Sequence, residues 1–69
     1  MEQEIRNELE AVARKELGAY FGYVSVDGNV FNNNGNCVGY IAVHNGVAQY
    51  VDTSGDSDRM VYSRRIAAG

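Results

Sequence analysis

Cys37 and His44 are the one pair in this sequence that could act as nucleophile and base. A thiolate needs an imidazole within hydrogen-bonding reach. The two lie seven residues apart in a segment that reads as one strand, so they point to opposite faces and sit roughly 23 Å apart. That spacing excludes a dyad, and the cysteine reads as a small apolar side chain. Asp52, Ser54, Asp56 and Asp58 place oxygen ligands at alternating positions, as in the front half of a calcium loop. The pattern then fails, because Ser57 stands where the loop needs glycine and Ser63 where it needs glutamate. The run reads as a polar turn with no metal. No glycine-rich run precedes a Lys-Ser or Lys-Thr pair, so there is no phosphate loop. No paired carboxylates converge in sequence for acid–base work. The expectation is a chain that is not an enzyme and carries no cofactor.

What remains is binding. Glu4 and Glu8 fall on the expected outer side of a helix, flanked by Asn7 and Lys15, and Asp52, Asp56 and Asp58 follow later in the chain. These five carboxylates are the candidate contact residues. They offer a partner's Lys and Arg the charge-assisted bonds that phosphates would otherwise supply. Tyr20, Tyr23, Tyr40, Tyr50 and Tyr62, with Arg59, Arg64 and Arg65, are the alternative: a stacking platform for single-stranded nucleic acid. Such a platform needs a positive groove. The chain has nine acidic against six basic side chains and a net charge of −3, which argues against direct nucleic-acid binding. A third surface is an apolar sheet face bearing Val38, Tyr40, Val47 and Val51, suited to a structural or homodimerisation role.

The elements that must position these groups are legible in the periodicity. Ile5, Leu9, Val12, Ala13 and Leu17 form one stripe of a helix over residues 2–17. Glu2 and Glu4 complement its positive end, Arg14 and Lys15 its negative end, and Gly18 is the natural stop. Glu16 falls inside the apolar stripe, which requires either a position at the seam's edge or an Arg brought from elsewhere. From Tyr23 the period becomes 2. Tyr23–Val26 and Asn29–Phe31 flank Asp27-Gly28, a two-residue hairpin signal that would set Val24 against Phe31 and Val26 against Asn29. Asn32 to Asn36 is a turn. Cys37–His44 and Val47–Asp52 flank Asn45-Gly46, which pairs His44 with Val47 and Ile41 with Tyr50. Ile41, Val43, Ala48 and Tyr50 then share the face that the helix should cover. A last strand, Met60–Ile66, should place Met60, Tyr62, Arg64 and Ile66 on one side. Residues 67–69 read as a frayed tail.

Sixty-nine residues allow a single domain with a modest core and little room for a deep pocket. The expected class is α+β: one N-terminal amphipathic helix on an antiparallel sheet of four to five short strands built from hairpins. One cysteine cannot form an internal disulfide, and no stretch reads as a signal peptide or a membrane span, so a cytoplasmic setting is expected. A short acidic chain of this kind, with the Glu-rich helix from Glu2 to Leu17 and hairpins turning at Asp27-Gly28 and Asn45-Gly46, resembles the anti-CRISPR inhibitors that phages carry against host defence. That resemblance implies a stoichiometric inhibitor acting in the host cytoplasm. It would bind a CRISPR effector subunit at a basic nucleic-acid site, as a monomer or weak homodimer. The family shares no signature from which individual residues could be carried over.

Overall fold

The helix forms where its apolar spacing demands it. In a computed structural model of the chain, which describes residues 1–66, α1 spans Gln3–Leu17. The expected tail at 67–69 lies outside the described residues. The Glu2 side chain caps the Glu4 N–H, and Gly18 ends the helix at φ 57°, returning its N–H to the Arg14 carbonyl. A short 3-10 turn, Gly18–Tyr20, leads into five strands: β1 (Phe21–Val24), β2 (Asn29–Asn32), β3 (Cys37–His44), β4 (Val47–Asp52) and β5 (Arg59–Arg65). They make one antiparallel sheet in the order β1-β2-β3-β4-β5, and α1 packs on one face of it. The α+β architecture is as expected.

Leu9, Ala13, Val30, Ile41, Ala48 and Tyr50 are the buried core of the helix–sheet contact. The helix therefore covers the face of Ile41, Ala48 and Tyr50. Val43, expected there too, is 40% exposed. The reason is the short β2. Its pairing with β3 ends at Asn29 opposite Tyr40, with one further bond from Ile41 N–H to the Gly28 carbonyl, so Val43 lies beyond the flanking strand.

The Asn45-Gly46 turn is as read. Both residues have positive φ, 51° and 74°, and the β3–β4 register pairs His44 with Val47 and Ile41 with Tyr50. The first hairpin differs. Val24 pairs with Val30 and Tyr23 with Phe31, one residue from the expected register. Gly28 N–H bonds the Ser25 carbonyl, Ser25 N–H bonds the Asn29 carbonyl, and Gly28 has φ 91°. This is a three-residue loop, a type I turn closed by a glycine bulge, and it leaves Val26 in the turn at 91% exposure. Asn32 to Asn36 repeats the same device around Gly35, with the Asn32 Oδ1 accepting from the N–H groups of Asn34 and Asn36.

Three strand pairs also carry a bulge. The register skips Gly22 in β1, Val38 in β3 and Val61 in β5. Each extra residue re-phases the alternation of faces. In β1 it brings Phe21 onto the helix side, where Arg14 lies over its ring at 4.9 Å. In β5 it separates Met60 from Tyr62. Met60, expected beside Tyr62 and Arg64, instead pairs with Val51 and is 52% exposed, while Arg59 comes round to the helix side.

Candidate functional site

Side chains of β5 reach both halves of α1, and the seam they form holds two clusters of carboxylate and guanidinium. At the head of the seam, Glu8 lies one position before the buried Leu9 and reaches across to β5. Its Oε2 accepts from Tyr62 Oη at 2.5 Å and from Arg64 Nε at 2.7 Å; its Oε1 accepts from Arg64 Nη2 at 2.8 Å. This is a forked guanidinium–carboxylate pair with a phenol added. The Arg64 bond first, then the Tyr62 bond, holds the Glu8 carboxyl below its ordinary range. The same bond pushes the Tyr62 phenol up. Glu8 therefore does not stand on the outer face of the helix as expected. Its two oxygens are committed within the molecule.

At the foot of the seam Arg59 Nη2 donates to Glu16 Oε1 at 3.2 Å and to Asp52 Oδ2 at 3.0 Å. Glu16, inside the apolar stripe, is thus explained by an Arg from elsewhere. Asp52 ends β4. Its Oδ1 accepts from the Ser54 hydroxyl at 2.6 Å and the Ser54 N–H at 2.8 Å. Those two bonds, ahead of Arg59, hold its carboxyl below the usual value. Asp52 is therefore a loop-ordering and ion-pairing group rather than a free contact. Asp56 and Asp58 are exposed in the turn that follows. With Asp52, Ser54, Gly55, Ser57 and Arg59 they line a concavity of about 350 Å³. Among the described residues neither enters an ion pair.

Glu4 sits at the other end. It lines a second concavity with Glu2, Ile5, Glu8, Arg64 and Ile66. Twelve residues of helix separate Glu4 from Glu16, about 18 Å. The five expected contact residues thus divide. Glu4 and Glu8 belong to the head, and Asp52, Asp56 and Asp58 to the foot. The sequence pattern did not reveal Tyr62, Arg64 and Arg59 as their counter-groups. The one available signal was Glu16 in an otherwise apolar stripe.

The five tyrosines and three arginines do not share one face. Tyr50 is 1% exposed in the core, Tyr62 is bonded to Glu8, and Arg59 and Arg64 are paired on the helix side. Tyr23 stacks on Phe31 at 4.8 Å on the opposite face. Cys37 and His44 sit at the two ends of β3. Among the described residues no three His, Cys, Asp or Glu side chains converge as a metal site. No helix among them is long and apolar enough to cross a membrane. Comparison with family models, curated proteins and solved structures gives no match to this chain.

Proposed function

We propose that this chain is a non-enzymatic inhibitor of the anti-CRISPR kind, which binds an effector subunit and occupies a basic surface that would otherwise receive nucleic acid. The observation that supports this reading is the charge at the foot. Glu16, Asp52, Asp56 and Asp58 stand with Arg59 as the one cation paired to the group among the described residues. An uncompensated negative surface of this kind draws a cationic partner and speeds its encounter. At the foot the contact residues are Asp56 and Asp58, held in place by Asp52 and Ser54, and Glu4 stays exposed at the other end of the helix. Glu8 drops out because a second cation would have to displace Arg64 from it.

The test is interference against phage. Cells carrying a CRISPR system that targets a phage are made to express this chain, and plaquing is counted across effector types. Restored plaquing with one effector type, lost on Asp56→Lys with Asp58→Lys, supports the reading. Restored plaquing that survives both reversals rejects the acidic contact. No restoration with any effector type rejects the inhibitor itself.

A further inference from the structure

The helix covers one face of the sheet and leaves the other open. On that face an apolar stripe runs in two rows: the register sets Tyr23 beside Phe31, and Tyr40, Val51 and Met60 in a second row. The two rows are offset by two residues, because Tyr40 pairs with Asn29 rather than Phe31, and Val51 is buried beneath its neighbours. Tyr23 and Phe31 stack, Tyr40 and Met60 both pair with Val51, and Tyr23 and Met60 at the two ends are more than half exposed. No carboxylate stands in this stripe, although the chain as a whole is acidic. At one side of the stripe β4 and β5 lead into the Asp56–Asp58 turn. On the other, Arg65 pairs with Val47, four residues further along β4 than Val51 and so about 13 Å away.

We infer that this face binds a second copy of the chain, stripe on stripe, about a two-fold axis that runs across the strands. That symmetry sets β5 over its copy with strand direction reversed. Arg65 of each protomer then approaches the other's Asp56–Asp58 turn, and the two acidic ends are carried to opposite ends of the pair. The alternative axis, along the strands, would set the acidic ends side by side. Charge therefore selects the first arrangement, and the interface is isologous.

The area fixes how tight the pair is. Five strands spaced about 4.8 Å apart and about six residues long give a face of roughly 400–500 Å². Two such faces reach about 1,000 Å², the lower limit for a specific interface. The dimer is expected to dissociate on dilution. It also places Asp56 and Asp58 against Arg65, so dimer and target compete for the same turn. This inference needs only the chain itself and does not depend on the target being an effector.

Sedimentation of the purified chain from about 10 μM to about 1 mM tests it. The expected result is a rise from the 7.6 kDa monomer toward twice that mass. Met60→Lys and Tyr23→Lys, both at exposed positions, should each weaken association tenfold or more while circular dichroism stays unchanged. Arg65→Glu should weaken it as well, and Asp58→Arg added to Arg65→Glu should restore it. A monomer throughout, or a dimer untouched by Met60→Lys and Tyr23→Lys, overturns the inference. So does a failure of the charge swap to rescue Arg65→Glu, which would reject the chosen axis.

Discussion

The two ends of the α1–β5 seam use the same chemistry in different proportions. At the head one carboxylate, Glu8, meets one guanidinium and one phenol, and every strong partner is satisfied internally. At the foot one guanidinium, Arg59, serves both Glu16 and Asp52, with Asp56 and Asp58 close by in the adjoining turn. The head clasp pairs one carboxylate with one guanidinium and holds β5 to the helix, with Glu2 and Glu4 beside it but outside the clasp. The foot is clasped as well, but carries charge it does not neutralise. The difference separates carboxylates that hold the fold from carboxylates left for a partner.

Removing what joins the two ends should have the largest effect. Leu9 is fully buried between them, and Leu9→Ala is expected to cost about 2–5 kcal/mol. A chain of this size has only about 3–10 kcal/mol of stability in total. Chemical denaturation reads the loss, and a change under about 1 kcal/mol would mean that the seam is not the core.

Acid should loosen both ends next. Glu8 and Asp52 both have carboxyl groups held below their unfolded values. Stability from such groups is present above the unfolded pKa and is lost as pH falls through the folded one. Melting temperature is thus expected to fall as pH drops below about 4. Glu8→Gln should flatten part of that fall, Asp52→Asn another part, and the two together more than either. A slope unchanged in both variants would contradict the assignment.

Salt sharpens the contrast further. Arg59→Ala leaves Glu16 and Asp52 unpaired near Asp56 and Asp58, so it should lower the melting temperature by a few degrees at low ionic strength. Added salt should restore much of that loss by screening the repulsion. Arg64→Ala releases one carboxylate, Glu8, where Arg59→Ala releases two, so its loss should respond less to salt. Equal salt responses would erase the distinction between the ends. The smallest effect belongs to Asp56→Asn, which should leave the melting temperature within about 2 °C of the parent, because the side chain is exposed and supports no fold contact.

Much of this was legible in the residues. The apolar stripe from Ile5 to Leu17 marked the helix and its buried side, and Asn45-Gly46 fixed the β3–β4 register because both residues can take positive φ. The bulges at Gly22, Val38 and Val61 were not legible. An inserted residue leaves a two-residue alternation looking unbroken on either side, so the pattern sets Met60 on the face of Tyr62 and Arg64, where the structure does not. Asp27-Gly28 resembles a two-residue turn, yet the loop starts at Ser25, whose hydroxyl accepts from the Asn29 N–H and helps close a longer turn. At the site, polarity alone placed Glu8 outside. Its partners Tyr62 and Arg64 lie 54 and 56 residues away, beyond the reach of any local pattern.

The most direct test of the account is a titration of the chain against purified effector complexes, reading loss of target-DNA binding at low and high salt. The account predicts displacement of DNA by the parent chain, weakened at high salt, and at least tenfold weaker displacement by the Asp56→Lys, Asp58→Lys variant at unchanged fold. Equal displacement by parent and variant at both salt levels would contradict it.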